Sequence, residues 1–230
     1  MVQKYIGSYS TPLKDKDGRR IATLIWGDPV HVLEESGTAV KVKARAHEGY
    51  VEATALSDQS LLEIYVIDVG QGDGVLFKTP DGKWHLLDGG VAGRDQMTKK
   101  SLANFVRWKF IQDLLLDKVS LANVIVSHPD YDHYGGLLDL LAGKLYDGRT
   151  FQVEVGTFYH NGLGRFKQTP KLGQYVSGQA APFPQGNHGV GRQGRFITEL
   201  LGDKQSFINP PRALQSPFDE LAALVAFAPL

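Results

Sequence analysis

A short stretch near the middle of the chain concentrates side chains that could hold a metal ion. In SHPDYDHYGG, residues 127–136, two histidines and two aspartates fall within the six positions from His128 to His133. Four such groups are costly to bury unless they bind something. Imidazole nitrogen and carboxylate oxygen are both ligands for divalent cations, and an acid–base pair without metal would not need four of them. The stretch therefore predicts a site for one or two metal ions.

The composition narrows the chemistry further. The chain has 230 residues, no cysteine and a formal net charge of zero. The lack of cysteine excludes disulfides, zinc ribbons and thiol nucleophiles, so a metal must be held by His, Asp and Glu. No serine stands in the sequence context of a nucleophile elbow, which argues against a serine-type triad. Because the net charge is zero, attraction for nucleic acid would have to come from local patches.

The two ends of the chain carry no signal for export or membrane insertion. Residues 1–20 lack the apolar core of a signal peptide. The longest apolar run, residues 221–230, is about half of a membrane span. We therefore expect a cytoplasmic chain without a membrane span.

The elements around residues 127–136 predict an α/β fold from Leu61 onward, in the order β-β-β-α-β-loop-α-β. Apolar residues recur at three- and four-residue spacing from Leu102 to Leu114, which is typical of an amphipathic helix. The apolar run ANVIVS leads directly into residues 127–136, and we expect a tight loop there because Pro129 blocks a helix. Such an order places Asp88 and the quoted residues at strand ends, where α/β proteins build their sites.

The first 58 residues have a different pattern. The segments IATLIW, PVHVLEE, AVKVKAR and GYVEATAL alternate or are β-branched, and short turns separate them, so we expect four or five strands in a small barrel or sandwich. The spacing from Trp26 to Leu56 resembles the bacterial SH3-like barrel. That resemblance implies a peptide, a cell-wall component or the neighbouring domain as partner, or a packing accessory without a ligand. Residues 57–60 (SDQS) predict the junction, so the domains would be 1–58 and 61–230.

The second region also resembles a known family. SHPDYDHYGG is similar to the H-x-[HD]-x-D-H signature of the metallo-β-lactamase fold superfamily. Upstream, IYVIDVGQGDGVLFKTPDGKWHLLDGG is similar to elements of the ComEC-like competence branch. The likeness covers about residues 61–166 and implies an αββα sandwich with a metal-dependent hydrolase site.

Carried over residue by residue, the resemblance assigns metal ligands. His128 would bind a first metal, and Asp132 and His133 a second, with Asp132 also orienting the attacking water as the catalytic residue. Asp130 stands where many relatives have histidine, which would favour Mn²⁺ or Mg²⁺ although Zn²⁺ competes tightly. His160 falls where the third-motif ligand is expected. We therefore expect Zn²⁺ or Mn²⁺ as the cofactor.

The same resemblance assigns supporting roles to two further aspartates. Asp88 would steady the metal loop by hydrogen bonds, and Asp73 would have a similar buried, structural role. His85 alternates with Trp84 on a strand and is expected to be a packing residue. The remaining histidines lie in the first region or in a glycine-rich segment: His31, His47 and His188.

A segment whose charged side chains are all positive suggests the substrate. Residues 155–198 contain no Asp or Glu but five cations, interspersed with Phe166, Tyr175 and Phe183. Cations with aromatic faces suit a single-stranded nucleic acid or nucleotide, and we expect Arg165, Lys167 and Lys171 to bind it. The expected activity is that of a phosphodiesterase or nuclease. A lactam, thioester or lactone hydrolase, and a non-catalytic regulatory module with a degenerate metal site, stay open, as does an ordinary solvated loop.

The end of the chain departs from the family pattern. The second half of that fold normally supplies an aspartate at a strand end and a last histidine. Here residues 201–203 (LGD) follow the helix-like RFITELL, and His188 lies among glycines. We therefore expect a chain shorter than a complete hydrolase, which is a fragment, a truncation or a homo-oligomer that completes its site by self-association.

Overall fold

Two β-sheets with separate hydrophobic cores make up the molecule. The computed structural model describes residues 2–98, 100–179 and 193–227. The residues of one core come from the segment Ile6 to Val51, and the residues of the other come from the segment Val69 to Ala226. The predicted α/β class is confirmed, since the second sheet is mixed and carries helices. Among the described residues, no helix is both long enough and apolar enough to cross a membrane.

The first sheet has seven strands, where the sequence predicted four or five. The four segments named from the sequence correspond to β3–β6, and the sequence pattern did not single out β1, β2 and β7. The strand order is β3-β2-β6-β5-β4-β1-β7, with bounds β1 Val2–Ile6, β2 Ser10–Lys14, β3 Arg20–Ile25, β4 Pro29–Ser36, β5 Ala39–Ala44, β6 His47–Glu52 and β7 Leu56–Ser57. Alternation buries one side of each strand, as at Val40 and Val42, and these side chains form the first core.

The second sheet has five strands in the order β12-β11-β10-β9-β8. Its strands are β8 Glu63–Val66, β9 Val75–Lys78, β10 Trp84–Leu87, β11 Val119–Val126 and β12 Val153–His160. Strands β8, β9 and β10 form an antiparallel meander, as the PDGK turn predicted, whereas β10, β11 and β12 are parallel. The carboxyl ends of the three parallel strands therefore meet at one edge and bring Asp88, Ser127 and His160 together there.

Helices cover one face of this sheet. They are α1 Leu102–Arg107, which continues as a π-helix over Trp108–Asp113, α2 Tyr131–Leu141, α3 Lys204–Ile208 and α4 Phe218–Phe227. The helix predicted from Leu102 to Leu114 is thus confirmed, and Ser101 caps its start by accepting a hydrogen bond from the Asn104 N–H. Leu86 and Val124 of the sheet share one core with side chains of α1, α2 and α4.

Helix α2 begins earlier than predicted. Asp130 is its N-cap residue and Tyr131 its first residue, so Asp132 and His133 lie in the first helical turn and not in a loop. The prediction was wrong because Pro129 prevents helix only on its own N-terminal side and permits one that starts just after it.

The two glycines of α2 serve close packing. A Cβ on Gly136 would lie 2.1 Å from the Gly89 carbonyl oxygen, and one on Gly135 would lie 2.8 Å from Ala92 N. Gly136 N donates to Gly90 O at 2.9 Å. Only glycine lets the helix backbone touch the loop that carries Asp88. This contact fixes the first turn of α2 against the end of β10.

The region after His160 forms a hairpin of β13 Tyr175–Gln179 and β14 Gln193–Ile197. The residues RFITELL were predicted to be helix-like. That prediction was wrong, because RFI ends β14 and the residues from Thr198 to Gly202 form no helix. The β-branched Ile197 and Thr198 and the cross-strand pairing outweigh the local helix propensity of the following leucines.

Candidate metal centre

Asp88 is the buried residue to which the other parts of the site are hydrogen-bonded. It follows β10, is 3% exposed and has a positive φ of 56°, a conformation that Asp adopts more readily than most residues. Its Oδ1 accepts from Ser127 N at 2.7 Å, and its Oδ2 accepts from Ser127 Oγ at 2.6 Å. The His133 Nδ1 lies 2.8 Å from the same Oδ2. Asp88 thus ties the ends of β10 and β11 to helix α2.

The contact with Asp88 sets the tautomer of His133. A carboxylate only accepts, so the proton of the His133 ring lies on Nδ1 and the Nε2 lone pair is free. The Nε2 lies 4.0 Å from Asp132 Oδ1. A carboxylate on one ring nitrogen with the other nitrogen free is the usual arrangement of a metal-binding histidine.

His128 lies beside His133. The two ring centroids are 3.7 Å apart at an interplanar angle of 47°. Neutral imidazole is the form that binds metal. The structure therefore places His128 beside His133, and Asp132 Oδ1 lies 4.0 Å from His133 Nε2, whereas the closest group of ligand atoms consists of Asp73, Asp88 and His133.

The loop from Asp68 to Gly74 closes the site from the other side. Gly72 has a φ of +81°, and a Cβ there would lie 1.6 Å from the Asp132 carbonyl oxygen, so the loop touches the backbone of α2. Gln71 Nε2 donates to Asp132 Oδ2 at 3.3 Å. The loop therefore contacts both the backbone carbonyl and the side chain of Asp132.

Asp73 differs from its prediction. It was expected to be buried, but its side chain is 73% exposed and its Oδ2 lies 3.9 Å from His133 Nδ1. Ligand atoms of Asp73, Asp88 and His133 all lie within 4.8 Å of one another. The prediction of burial was wrong because the glycines on both sides, Gly72 and Gly74, turn the chain so that Asp73 faces outward at the mouth of the site. The exposed carboxylate is free to bind an ion there.

Asp130 and Arg165 form an ion pair. One terminal nitrogen of Arg165 contacts Asp130 Oδ1, and Arg165 Nε donates to Pro129 O at 3.0 Å. The other carboxylate oxygen of Asp130 lies 3.6 Å from His128 Nδ1, which is too long for a hydrogen bond. Asp130 therefore lies between Arg165 and His128, and Arg165, which was predicted to bind substrate, is anchored to the metal loop.

His160 ends β12, next to the end of β11, as Val126 and His160 are paired across the two strands. Its Nδ1 accepts from Gly162 N at 3.0 Å, so the proton of a neutral ring lies on Nε2, which then has no lone pair for an ion. Its ring meets Phe207 edge-on at 4.7 Å. Burial lowers the pKa of His160 below its ordinary value, which keeps the ring neutral. His160 and His128 line a common cavity of about 10 Å³. The described geometry places His160 beside the centre and outside the closest group of ligand atoms.

Within the segment 155–198, the predicted substrate residues have mixed environments. Lys167 and Lys171 are exposed, and Tyr175 is 44% exposed. Phe166 was expected to offer a stacking face, but it is fully buried, and the Arg212 guanidinium lies 4.5 Å from its ring centroid. That expectation was wrong because Phe166 pairs with Leu214 and completes the second core. The remaining residues of this prediction, Phe183, His188 and Arg192, lie outside the described residues, as does the side chain of Arg195.

Asp203, the last residue of the LGD stretch, has a structural role. Its Oδ1 accepts from Ser206 N at 2.8 Å and caps helix α3. This hydrogen bond lowers the pKa of Asp203. Its carboxylate is therefore engaged at the start of α3.

A large cavity lined by described residues lies away from this centre. Its volume is about 910 Å³, and it lies between the two sheets at the amino ends of β10, β11 and β12. Its walls include Tyr5 and His31 of the first sheet region and Trp84 and Lys109 of the second. A smaller cavity of about 200 Å³ adjoins the metal loop and is lined by Asp130, Tyr134 and Arg165, among others.

Sequence reasoning missed two residues of the site, Ser127 and Gln71. Ser127 gives Asp88 two of its three short hydrogen bonds, and the Ser127 carbonyl accepts from Asn161 Nδ2 at 2.9 Å. Its position directly after the apolar strand, next to His128, was the available signal. Gln71 gave none, because its contact with Asp132 spans 61 positions.

Comparisons with protein families, with curated proteins and with solved structures find no match for this chain.

Proposed function

We propose that this chain is a metal-dependent hydrolase of the metallo-β-lactamase fold superfamily, ComEC-like branch, and that it acts as a phosphodiesterase or nuclease. The observation that carries this proposal is the Asp88–His133 contact of 2.8 Å, which leaves the His133 Nε2 free and 4.0 Å from Asp132 Oδ1. In the same proposal, strands β1–β7 form an SH3-like barrel, and the five-stranded sheet is one half of an αββα sandwich.

The donor set suits a divalent ion. His128 and His133 offer imidazole nitrogens, and Asp132 and Asp73 offer carboxylate oxygens. All four residues lie at the same edge of the sheet. Nitrogen with carboxylate oxygen suits Zn²⁺ and Mn²⁺. The ion would be held by His128, Asp132 and His133, with Asp73 and His160 beside them. When bound, it would lower the pKa of a water molecule and stabilise negative charge on the oxygen under attack.

The protein side chains have separate tasks in this proposal. Asp88 keeps the His133 ring in one orientation and one tautomer. Gln71 restrains Asp132, which would accept a hydrogen bond from the attacking water. Arg165 compensates the charge of Asp130, so we assign Asp130 to the ion pair with Arg165 and not to the metal.

The surroundings of the centre favour a charged phosphodiester over a lactam, thioester or lactone. An apolar substrate needs an apolar cavity, yet the cavity next to the metal loop is about 200 Å³ and is lined by Asp130 and Arg165 among other polar residues. Lys167 and Lys171, both exposed, follow Arg165 in the chain. Cations near the reacting centre suit phosphate oxygens, so a nucleotide or single-stranded nucleic acid is the proposed substrate.

The test combines metal loading with a substrate panel. Purified chain, reconstituted with Mn²⁺ or Zn²⁺, is assayed on single-stranded DNA, a cyclic dinucleotide, a chromogenic phosphodiester and a chromogenic lactam. We expect turnover of phosphodiesters that is abolished in Asp132→Ala and kept in His47→Ala, a histidine of the first sheet region. Turnover of the lactam alone would contradict the substrate class. A reconstituted chain that holds metal and hydrolyses nothing would favour the regulatory module.

A further inference from the structure

The large cavity between the two sheets lies apart from the metal centre. Its volume of about 910 Å³ falls within the roughly 300–1,000 Å³ that is usual for small-molecule sites. Both sheet regions contribute to its wall. One contact joins them directly, since the Lys78 Nζ lies 5.1 Å from the centroid of the Tyr5 ring. The cavity is therefore a space of ligand size that is bounded by two parts of the same chain.

The strand registers of the first sheet place three polar side chains next to one another on the cavity wall. Gln3 is paired with His31 across β1 and β4, and His31 is paired with Lys43 across β4 and β5. The strand neighbours Val32 and Val42 belong to the first core. Because successive side chains point to opposite faces of a sheet, Gln3, His31 and Lys43 face away from that core. All three line the cavity, and we call them the polar row.

The charges on the cavity wall leave one cation over. All five acidic side chains of the wall form an ion pair with a Lys or Arg. Of the five Lys and Arg residues on the wall, four take part in these pairs and Lys43 does not. Among the described residues, none forms an ion pair or a side-chain hydrogen bond with Lys43 or with its neighbour His31. Both side chains are half-buried.

No other acidic side chain of the chain is left to pair with Lys43. The residues outside the described ranges are 1, 99, 180–192 and 228–230, and they include no Asp or Glu. The Lys43 ammonium group has three donors and no acceptor, so only an acceptor or an anion can satisfy it. Partial burial makes an uncompensated charge costly. The counter-charge that suits the polar row must therefore come from outside the chain's own side chains.

Another part of the wall is apolar. Leu115 is 44% exposed and Leu116 is 42% exposed, and both line the cavity together with Trp84. Trp84 is 8% exposed, and the Lys78 Nζ lies 5.8 Å from its ring centroid. A simple inorganic anion would leave the two leucines in water, whereas an apolar group bound beside them would remove that surface from water.

We infer that this cavity binds a small organic anion, with a carboxylate or phosphate group at the polar row and an aromatic or other apolar body beside Trp84, Leu115 and Leu116. Carboxylate and phosphate oxygens both accept charge-assisted hydrogen bonds from an ammonium group, so the two head groups share the same recognition. The cavity lies where β10, β11 and β12 begin, and the metal centre lies where they end. Binding of the anion is therefore separate from the proposed hydrolysis.

The test uses two anions, each with an uncharged counterpart of similar shape. Indole-3-acetate is compared with indole-3-acetamide, and adenosine monophosphate with adenosine, by calorimetric titration. The chain is first treated with a chelator and dialysed, so that no ion at the metal centre can bind the head group. We expect one anion per chain with a dissociation constant between about 1 µM and 1 mM. The uncharged counterpart should bind roughly tenfold more weakly or worse. The two pairs show whether the site prefers carboxylate or phosphate.

Three variants locate the site. Lys43→Gln should weaken the anion roughly tenfold or more and leave its uncharged counterpart unchanged. Lys41→Gln is the matched control, because Lys41 lies two residues away on the same face of β5, pairs with Glu48 at 3.6 Å and is not among the described residues that line the cavity. It should bind like the wild type. Leu116→Ala should weaken the anion and the uncharged counterpart by the same factor, since it removes only apolar contact.

The readout is binding, so the result does not depend on hydrolysis. A wild type that binds none of the four compounds up to about 5 mM would overturn the inference. Equal affinity for an anion and its uncharged counterpart would overturn it as well, because the polar row would then not select charge. Equal weakening by Lys43→Gln and Lys41→Gln would place the anion elsewhere. Since Lys43 has no side-chain partner among the described residues, Lys43→Gln should unfold at the same urea concentration as the wild type, which circular dichroism checks.

Discussion

Charged side chains at the two ends of the five-stranded sheet differ in their partners. Around the large cavity, at the end of the sheet where β10, β11 and β12 begin, cations and carboxylates form pairs: Lys78 with Glu63, Lys109 with Asp113 at 2.6 Å, and Arg45 with Asp28 of the first sheet region at 2.8 Å. At the opposite end of the sheet, Asp73, Asp88, Asp130 and Asp132 lie around two histidines. Of the lysines and arginines among the described residues, only Arg165 forms an ion pair with one of these aspartates.

This difference separates structural charge from functional charge. A charge that is already paired within the protein leaves little for a ligand, and removal of one partner leaves the other uncompensated. Carboxylates without matching cations repel each other unless a cation is added, so they are a cost to the free protein that a bound metal removes. The excess of acceptors at the carboxyl ends is therefore the feature that a metal site would explain.

The largest expected effect is on hydrolysis. Asp132→Ala should lower turnover by roughly 10²–10⁴-fold, because the carboxylate both holds the ion and accepts from the attacking water. The free energy of unfolding without metal should not fall, since removal of one carboxylate relieves repulsion. Kinetics with a phosphodiester, together with urea unfolding, measure both quantities. Normal turnover in this variant would remove Asp132 from the reaction.

The second prediction concerns the opposite end of the sheet. Lys78 is 4% exposed, pairs with Glu63 and lies over the Tyr5 and Trp84 rings. Lys78→Met leaves Glu63 without its partner and should lower the free energy of unfolding by about 3 kcal/mol. Metal affinity should stay as in the wild type, because the site is at the other end of the strands.

The control for this variant is Lys83→Met. Lys83 pairs with Asp81 at 2.9 Å, but its side chain is 65% exposed, so removal of that pair should leave the unfolding midpoint unchanged. Equal destabilisation by the two substitutions would mean that burial does not distinguish these ion pairs. Weaker metal binding in Lys78→Met would break the separation between the two ends.

The third prediction addresses the residue that orients the site. Asp88→Asn keeps the shape of the side chain but weakens its contact with the His133 Nδ1, and it should lower metal affinity about 10–100-fold. Calorimetric titration with Zn²⁺ and Mn²⁺ measures the change. Unchanged affinity would mean that His133 binds no metal or needs no orientation.

The smallest expected effect is on substrate binding. Lys167→Gln with Lys171→Gln should lower the slope of log affinity against log salt for single-stranded DNA by about 0.7 for each phosphate that a lysine no longer neutralises. A doubly substituted control, Lys14→Gln with Lys16→Gln, changes the net charge equally in the first sheet region, where Lys14 is exposed. The same slope in the two double variants would show that the residues near the metal loop do not touch the strand.

Local pattern predicted the parts of the fold that depend on neighbours in sequence. The apolar strand before Ser127, the hairpin around PDGK and the helix that starts at Leu102 all follow from periodicity and turn residues. The placement of Asp88 beside His133 followed from the rule that parallel strand ends meet at one edge.

Contacts between distant segments were not predictable in the same way. The ion pair between Asp130, a predicted metal ligand, and Arg165, a predicted substrate residue, joins two distant segments of the chain. Asp73 was expected to be buried, and its exposure depends on the flanking glycines. Phe166, expected at the surface, is buried because Leu214 and Arg212 cover it.

The most direct test of the proposed metal centre is the metal content of the chain. Wild type and two variants, His133→Ala and His47→Ala, are incubated with Zn²⁺ or Mn²⁺, dialysed and analysed by elemental mass spectrometry. We predict about one tightly held ion per chain in the wild type and in His47→Ala, and an affinity roughly 10-fold or more weaker in His133→Ala. A wild type that retains no metal, or a His133→Ala variant that retains as much as the wild type, would contradict the assignment.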